Sequence, residues 1–477
     1  MAETIGKNKA HIPLENVVGC TGGTLFGPEL EAVGVTTDTR AIEPGNLFVA
    51  LRGEKFDGHR FLEEAKQRGA IAAVVEEETD VLPCVRVDDT LVALGDIARW
   101  HKCNVRFPFD VKSESENAWW PFSLIAITGS YGKTSTRALL FCVLCAKLNT
   151  LTSQANFNNE IGVPMTLLQL DETHEAAVIE MGMRGRGQIA YLANVVEPAI
   201  GVITNIGPQH IELLGSLEEI ALAKAELLEN LPENGLAVLP FDSPFLDLLR
   251  SKCPCRAITF GTGEGADYLV TNSQITPEGW VEFSIEWDDK SQPVTLRLPG
   301  IHNAVNASAA FAVAHQMGID PESIALALEN AELPGARMRV VKAKSGATVL
   351  DDCYNAGPDS MRAALQTLLD FPGSGRRVAV LGAMKELGDH SELEHRKIGA
   401  FVGQFAELLV GVGGDTRPLL NAAVQAAKEV ENEMEVHWFD TAEEASGAVA
   451  EMIQENDIIL VKGSRSVGLE IVVESMR

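Results

Sequence analysis

Short apolar runs alternate with stretches of helical pattern along most of this chain. In its middle part, the apolar runs 176–179 and 199–203 each end in polar residues. That pattern is typical of central strands in a parallel sheet, whose carboxyl ends carry the functional site. Residues 267–299 alternate apolar and polar positions, which predicts antiparallel strands, and the spacing within 304–316 predicts a helix.

The outer parts of the chain show the same mixture of strands and helices. Near the N-terminus, a strand within 45–51 and a helix over 60–68 precede the apolar run 70–75. In the last part, helices separate four predicted strands, which are residues 348–350, 377–381, 408–412 and 458–461. This alternation predicts a separate doubly wound domain.

The length of the chain, 477 residues, is too great for a single core, so we expect several domains. Residues 106–122 are polar, aromatic and interrupted by proline, which indicates a linker or a surface insertion. The predicted fold is therefore α/β with three domains. They are an N-terminal α/β domain (1–105), a central parallel-sheet domain (123–332) and a C-terminal Rossmann-like domain (333–477).

The net charge of −28 disfavours a nucleic acid or an anionic membrane as partner. An anionic substrate must therefore be held by local arginine and lysine side chains. No uncharged apolar stretch is long enough to predict a membrane span, and residues 1–13 lack the apolar core of a signal peptide. Because the eight cysteines also suggest no disulfide framework, we expect a cytoplasmic location.

A glycine-rich turn follows the apolar strand 123–127. Residues 128–136 read TGSYGKTST, and the pattern of residues 134–148 predicts a helix. A strand, a glycine turn, a lysine and a hydroxyl residue before a helix are the parts of a phosphate-binding loop. Such a loop predicts that the central domain resembles the P-loop ATPases. The candidate nucleotide-binding residues here are Gly129, Ser130, Gly132, Lys133, Thr134 and Ser135.

Triphosphate binding explains why these residue types occur together. Glycine lets the backbone approach phosphate closely, the helix N-terminus faces the anion, and Lys133 neutralises the β- and γ-oxygens. The Thr134 hydroxyl can hold magnesium. The common longer loop requires glycine at position 127, where this chain has Ile127, which indicates a less common family of ATP users. The alternative is a glycine turn with a solvated lysine.

Three further candidates lie in the central part. Glu180 follows a predicted strand and is placed to hold magnesium, although it could be a plain surface glutamate. His210 follows another strand, in a loop with glycine and proline, and a lone histidine is more often structural. Lys224 has small and apolar neighbours, which predict partial burial, a lowered pKa and a nucleophilic amine. Its alternative is a helix lysine that reaches solvent along its stem.

The last part offers a polar strand end of its own. Asp352 is placed to hold ribose hydroxyls, and Tyr354 and Asn355 to meet a purine. The alternative is a proline-terminated turn in which Asp and Asn supply local hydrogen bonds. A second strand end, residues 460–465, carries a glycine and two cations and either binds an anion or forms a simple turn.

Taken in order, these motifs resemble the Mur ligase family over nearly the whole chain. The stretch 156–164 is the most telling, because the branch of the family that adds D-alanyl-D-alanine carries it. The matching segments are TDTR (37–40), PGNLFVAL (44–51), FDGH (56–59), TGSYGKT (128–134), NFNNEIGVP (156–164), EMG (180–182), NIGPQH (205–210), GIHN (300–303), PGAR (334–337), DCYNAGPDSM (352–361) and KGSR (462–465).

The resemblance implies a uridine-nucleotide domain, an ATP-binding domain and a C-terminal ligase domain. It implies that Lys133 binds the β- and γ-phosphates and that magnesium is held by Thr134, Glu180 and His210 as two ions. Lys224 matches the lysine that relatives convert to a carbamate. The implied ATP contacts from the later part of the chain are Asn303, Arg337, Asp352, Tyr354 and Asn355. The implied contacts to the other substrates are Asp38 and Arg40, near uridine diphosphate, and Asn158 and Asn159, toward the peptide.

The implied activity is ATP-dependent amide-bond formation in peptidoglycan synthesis, through an acyl phosphate. The expected partners are small molecules, UDP-N-acetylmuramoyl-tripeptide and D-alanyl-D-alanine, and the expected state is a monomer. One rival is the ligase that adds the third amino acid, lysine or diaminopimelate, but its Asp-Asn-Pro-Arg motif is absent. Folylpolyglutamate synthase lacks a uridine-nucleotide domain of this kind. A non-catalytic ATP-binding paralogue is disfavoured because the chain retains the whole expected set of Lys133, Thr134, Glu180, His210 and Lys224.

Overall fold

Three main sheets follow one another along the chain in a computed structural model that describes residues 7–53, 56–106, 123–154 and 156–477. The predicted three-domain α/β architecture is confirmed. The predicted domain boundaries stay predictions. Of the predicted linker, all but residue 106 lies outside the described residues.

The N-terminal part forms a small mixed sheet. Its strands run in the order β2-β9-β8-β5-β4, with only β2 antiparallel to its neighbour, and β1–β3 and β6–β7 form two short antiparallel pairs. The elements are β1 (His11–Pro13), α1 (Leu14–Thr21), β2 (Thr24–Phe26), β3 (Glu31–Val33), β4 (Val35–Thr36), β5 (Leu47–Val49), β6 (Arg52–Gly53), β7 (Phe56–Asp57), α2 (Leu62–Gln67), β8 (Ala72–Val75), β9 (Cys84–Arg86) and α3 (Thr90–Asn104). The 3₁₀ helices are Thr39–Ala41 and Gly58–Phe61.

The central part forms a nine-stranded sheet in the order β11-β12-β10-β13-β14-β15-β16-β17-β18. The pairings from β11 to β16 are parallel and those of β16, β17 and β18 are antiparallel, as the pattern predicts. The elements are β10 (Ser123–Thr128), α4 (Lys133–Cys145), β11 (Thr150–Thr152), α5 (Gly162–Leu167), β12 (Ala176–Glu180), α6 (Gln188–Val196), β13 (Ile200–Ile203), α7 (Ile211–Leu214), α8 (Leu217–Glu229), β14 (Leu236–Pro240), α9 (Leu246–Ser251), β15 (Arg256–Gly261), β16 (Tyr268–Ile275), β17 (Val281–Trp287), β18 (Lys290–Leu296), α10 (His302–Gln316) and α11 (Pro321–Glu329).

The C-terminal part forms a six-stranded sheet in the order β19-β20-β24-β21-β22-β23, parallel except for the edge strand β19. The elements are β19 (Arg339–Lys342), β20 (Thr348–Asp351), α12 (Pro358–Asp370), β21 (Arg377–Gly382), α13 (Ser391–Val402), β22 (Leu408–Val412), α14 (Arg417–Glu429), β23 (Glu435–Phe439), α15 (Ala442–Met452), β24 (Ile458–Lys462) and α16 (Glu470–Met476). Three 3₁₀ helices, Gly388–His390, Gly414–Thr416 and Arg465–Val467, follow strand ends.

The predicted elements differ from the observed ones at their ends and in the strands that the prediction omits. The helix predicted over 134–148 is α4, which ends at Cys145, and the predicted helix 60–68 begins as a 3₁₀ turn. The edge strands β19 and β23 lack a fully buried residue and are absent from the prediction, as are the interior strands β14 and β15.

Apolar faces hold the layers together and join the first two domains. The helix α3 packs against α5 and α6, so that one core cluster runs from the N-terminal sheet into the central domain. The strands β12 and β13 are fully buried, which explains their continuous apolar runs. Within the described part of the chain, every helix is too short or too polar to cross a membrane.

Candidate active site

The carboxyl ends of β10, β12 and β13 open into a cavity of about 1220 Å³ that the third domain closes on its far side. This is where a parallel sheet is expected to place its site. Most of the predicted residues meet there. Those that line the cavity are Ser130, Gly132, Lys133, Thr134, Ser135, Asn158, Asn159, Glu180, His210, Lys224, Asn303, Arg337, Asp352, Tyr354 and Asn355.

The glycine turn between β10 and α4 lets a ligand approach its backbone closely. Gly129 and Gly132 have φ values of 154° and 77°, which residues with side chains rarely adopt. A Cβ atom at Gly129 would lie 1.9 Å from the Thr204 hydroxyl oxygen. That hydroxyl donates to the Tyr131 carbonyl at 2.6 Å, so the end of β13 fixes the path of the turn.

The next residue along, Asn205, braces the same turn from the other side. Its backbone carbonyl accepts from the Ser130 amide at 3.1 Å, and its side-chain oxygen accepts from the Tyr131 amide at 2.9 Å. The Ser130 hydroxyl in turn bonds the backbone of Gly207 at 2.9 Å. The residues that follow β13 thus hold the loop in shape.

Lys133 is the first residue of α4, where the helix dipole also favours an anion. Its ammonium donates to the carbonyls of Gly129 and Ser130 at 2.7 and 3.2 Å. Burial lowers the pKa of Lys133, and the nearby carboxylate of Glu180 opposes that shift. A phosphate that entered the turn would meet this ammonium directly.

Glu180 ends strand β12 and is almost completely buried, at 2% exposure. Its Oε1 accepts from the Asn158 amide at 2.8 Å, which places Asn158 beside the carboxylate. The guanidinium of Arg137 approaches Oε2 at 3.5 Å, but neither Oε2 nor Arg137 Nε has a hydrogen-bond partner in the described structure. An unpartnered buried carboxylate oxygen has a free position for a further ligand.

Arg137 is a residue that sequence reasoning missed. It lies on the buried side of α4 at 4% exposure, and burial lowers its pKa while Glu180 opposes that shift. The signal available in the sequence was a cation one helical turn beyond Lys133, on an otherwise apolar helix face.

Lys224 and His210 approach the cavity from α8 and from the turn before α7. Ser216 caps α8 by accepting from the Glu219 amide at 3.1 Å. Lys224 is buried more deeply than expected, at 2% exposure, and burial together with neighbouring Lys133 lowers its pKa well below the ordinary value. His210 lies at a left-handed position, φ 64°, and its Nδ1 lies 2.8 Å from a carboxylate oxygen of Glu386.

The third domain contributes an aromatic and charged wall. The guanidinium of Arg337 stacks 3.7 Å from the centre of the Tyr354 ring, and its Nη2 donates to the Thr134 hydroxyl at 3.4 Å. Asp352 binds the buried Lys462 ammonium at 2.5 Å, and the same ammonium donates to the Asn355 carbonyl at 2.9 Å. Asp352 therefore reaches the cavity already paired with a cation.

Asn303 and Asn159 line the cavity and also make hydrogen bonds that stabilise the fold. Asn303, at 1% exposure, donates to the Pro299 carbonyl at 2.9 Å and so fixes the start of α10. Asn159 accepts from the Gly162 amide at 2.9 Å at the start of α5.

Asp38 and Arg40 do not line this cavity among the described residues. They form a two-point ion pair with each other in the N-terminal domain, with the closest approach at 2.7 Å. The guanidinium lowers the pKa of Asp38, mainly through that hydrogen bond. Their predicted contact with a substrate stays a prediction.

The oxygen donors at the centre of the cavity suit a magnesium ion that also takes ligands from water and phosphate. They do not form a metal site built from protein ligands alone. Within the described ranges, no three His, Cys, Asp or Glu side chains form a metal-binding group. Magnesium usually takes one or two protein oxygens and fills its remaining positions with water and phosphate oxygens. The free Oε2 of Glu180 and the hydroxyl of Thr134 match that habit.

Family models match all three domains. The model of the Mur ligase family, catalytic domain, matches residues 31–101, that of the Mur ligase middle domain matches 127–314, and that of the Mur ligase, glutamate ligase domain, matches 336–465. The last two cover most of the cavity lining.

Whole-chain relatives agree with these models. A UDP-N-acetylmuramoyl-tripeptide–D-alanyl-D-alanine ligase of Bacillus subtilis (strain 168) is 35% identical over 470 residues, covering 97% of this chain and 98% of the relative. A crystal structure of MurF from Acinetobacter baumannii has a TM-score of 0.86 at 31% identity, over 99% of both chains. The MurF ligase of Thermotoga maritima, solved in complex with ADP, has a TM-score of 0.78 at 27% identity, over 93% of this chain and 96% of that one.

Proposed function

Because this chain belongs to the Mur ligase family, we propose that it joins D-alanyl-D-alanine to UDP-N-acetylmuramoyl-tripeptide at the expense of ATP. The observation that carries the proposal is the meeting of Lys133, Glu180 and Lys224 in one cavity between two domains. The relatives named for this reaction match nearly the full length of the chain, which supports the choice of substrates.

The reaction takes two steps. The terminal carboxylate of the tripeptide attacks the γ-phosphorus of ATP, so that an acyl phosphate forms and ADP leaves. The amine of D-alanyl-D-alanine then attacks the acyl carbon, an amide bond forms, and inorganic phosphate and a proton are released. The protein needs no covalent chemistry of its own in either step, so its contribution is positioning and charge stabilisation.

The phosphate-binding part belongs to the turn before α4. Lys133 exchanges its two carbonyl partners for the β- and γ-oxygens, and the helix N-terminus adds its dipole. Thr134, Glu180 and His210 would hold two magnesium ions, which neutralise the phosphoryl oxygens when bound. Asn158 holds Oε1 of Glu180, so that the free Oε2 remains for the cation.

Lys224 has the environment that carbamate formation requires. Its lowered pKa leaves a larger share of the amine neutral, and a neutral amine can attack carbon dioxide. The new N–C bond forms with release of a proton and yields an anion beside the cation site. Carbamate formation on Lys224 is a more specific proposal than the use of ATP.

Residues of the third domain complete the nucleotide site. Arg337 and Tyr354 form a stacked pair beside Thr134, and Asn303, Asp352 and Asn355 line the same wall. Seating of this domain excludes water, which would otherwise hydrolyse the acyl phosphate.

The remaining assignments concern the other substrates and the setting. Asp38 and Arg40 would bind the uridine diphosphate end, while Asn158 and Asn159 would face the peptide. Domain boundaries at 105, 123 and 333, a monomeric state and a cytoplasmic location belong to the same proposal.

The test is phosphate release from magnesium-ATP in a matrix of substrates. We expect turnover only when UDP-muramoyl tripeptide and D-alanyl-D-alanine are both present. Turnover with UDP-muramoyl dipeptide and lysine or diaminopimelate would instead assign the chain to the preceding addition. Tight ATP binding without turnover in any mixture would contradict ligase activity.

The variant Lys133→Ala tests the role of the loop in that assay. Loss of its charge-assisted phosphate contacts is expected to lower kcat/KM by at least about 100-fold. Lys147→Ala is a matched control, since Lys147 is an exposed lysine just beyond the end of the same helix. Near-normal turnover of Lys133→Ala would contradict the mechanism, provided that both variants keep the thermal unfolding midpoint of the parent protein.

A further inference from the structure

Besides the contact of Arg337 with Thr134, the central and third domains meet at the edge of the cavity. Glu386, in the loop after β21, brings its Oε2 to 2.8 Å from Nδ1 of His210. Glu386 is not among the residues that the sequence patterns assign to the site. Its partner, His210, belongs to the central domain, so the contact depends on how the two domains are placed and not on local sequence.

The backbone at both ends of this contact is unusual. His210 and Glu386 each have φ of 64°, the left-handed region that side-chain-bearing residues rarely adopt. Such conformations persist where the surrounding structure enforces them, and they concentrate at functional sites. Here two of them meet across a domain interface.

The loop that carries Glu386 is fixed within the third domain. The Met384 amide donates to Nε2 of the buried His395 at 3.0 Å, and the Lys385 amide donates to the Ser464 hydroxyl at 3.0 Å. These two bonds hold the residues just before Glu386. Its carboxylate is therefore presented to the central domain by a braced loop rather than by a free side chain.

The same loop is seated on the turn that carries His210. The 3₁₀ helix Gly388–His390 packs against α7, which begins directly after His210. A Cβ at Gly388 would lie 2.9 Å from Cγ of Glu212 on α7, so the close fit requires glycine there. The contact therefore involves two packed segments, Gly388–His390 and α7, and not only the pair of side chains.

The geometry distinguishes the two nitrogens of the His210 ring. Nδ1 is buried beneath Glu386, but the carboxylate lies off the line required for a formed hydrogen bond. Nε2 is the nitrogen that remains for a ligand in the cavity. In metal sites, the second ring nitrogen of a histidine ligand is commonly held by a carboxylate, which fixes the tautomer and the ring orientation.

We propose that Glu386 is a positioning residue for the cation that His210 binds. Its carboxylate accepts a hydrogen bond from the Nδ1–H of His210, so that the Nε2 lone pair faces the cavity. This inference rests on the proposed function, because it assumes that His210 holds a divalent cation. The cation site is then complete only when the third domain is seated on the central domain.

A reciprocal effect follows from this arrangement. If seating of the third domain strengthens cation binding, then cation binding must stabilise the seated arrangement by the same free energy. Glu386 would thus link the metal content of the site to the closure that excludes water.

The variant Glu386→Gln tests the proposal, since it keeps the size of the side chain and removes its charge. Manganese binding is measured by electron paramagnetic resonance of free Mn²⁺, with ATP present and both peptide substrates absent, so that ligation cannot occur. Dissociation constants for the two ions are compared with those of the parent protein. We expect one of them to weaken by about 10- to 100-fold.

Glu212→Gln is the matched control, because it removes the same charge from the same interface without touching His210. Its manganese affinities are expected to stay within about twofold of the parent values. In a double-mutant cycle, Glu386→Gln is expected to have no further effect on manganese binding once His210→Gln is present.

Unchanged manganese affinities in Glu386→Gln would overturn the proposal. A raised KM for D-alanyl-D-alanine with unchanged manganese binding would also overturn it and would assign Glu386 to the incoming amine. Failure of the parent protein to ligate, or to bind manganese with ATP, would contradict the proposed function instead.

Discussion

Strand ends explain which residues of the site are readable from the sequence. Lys133, Glu180 and His210 each follow an apolar strand of the same sheet, and neighbouring parallel strands bring such positions together. Arg137 and Glu386 do not directly follow an apolar strand, so the sequence pattern does not single them out. Their roles depend on which side of α4 is buried and on where the third domain lies, and a linear pattern fixes neither.

The same residue scale gives a sharp prediction for the phosphate loop. Gly129→Ala places a Cβ 1.9 Å from the Thr204 hydroxyl at a φ of 154°. The turn must therefore open, which displaces the amides that face phosphate. We expect the rise in unfolding temperature that magnesium-ATP gives the parent protein to disappear in this variant.

Gly414→Ala is the control for that substitution. It lies in another turn between a strand and a helix, but its Cβ would meet nothing within 4 Å. Its response to magnesium-ATP should equal that of the parent protein. A normal response of Gly129→Ala would mean that the turn does not bind the triphosphate.

At the scale of elements, continuous burial explains the apolar runs from which several strands are predicted. The strands β12, β22 and β24 are buried at every position and therefore appear as continuous apolar runs. The edge strand β19 reads Arg-Val-Val-Lys, and most of it is exposed. Its place in the sheet is set by antiparallel pairing with β20, the next strand along the chain, and not by buried apolar residues of its own.

Helix α15 offers a prediction that depends on one element alone. Gly447 lies in its interior, is exposed, and has no atom within 4 Å of an added Cβ. Gly447→Ala should therefore stabilise the helix by about 0.5–1 kcal/mol, because glycine loses more backbone freedom on folding than alanine. Amide hydrogen exchange within α15 should slow by roughly 2- to 5-fold, while exchange in α13 stays unchanged. Faster exchange in α15 would contradict the prediction.

At the scale of the whole molecule, the two domain contacts differ in kind. The N-terminal and central domains share a continuous apolar core, whereas the contacts of the third domain with the central one around the cavity are mainly polar. A polar contact can form and separate at small cost, and an apolar one resists separation. The first pair is therefore expected to act as one body, with closure left to the third domain.

A cluster of ion pairs lies at the rim of the interface between the N-terminal and central domains, where its contribution to stability can be measured. Glu197, at the end of α6, accepts from Lys102 at 2.6 Å and from Arg99 at 3.0 Å. Burial tends to raise the pKa of Glu197, but the hydrogen bonds from Lys102 and Arg99 outweigh it and the pKa is lowered. Lys102 itself is 6% exposed, so its charge depends on this partner and on the Val196 carbonyl.

Glu197→Gln should destabilise the protein by about 1–2 kcal/mol at pH 7, a modest figure because water screens the half-exposed carboxylate. A carboxylate with a lowered folded pKa stabilises the fold above its unfolded pKa, here near the ordinary value of 4.5, and loses that contribution as pH falls through the folded pKa. Thermal unfolding midpoints should therefore differ most between parent and variant at neutral pH and converge as pH falls through the lowered folded pKa. Glu172→Gln, at an exposed position, should show no such trend. A difference that stayed constant into acid would mean that the Glu197 charge does not stabilise the interface.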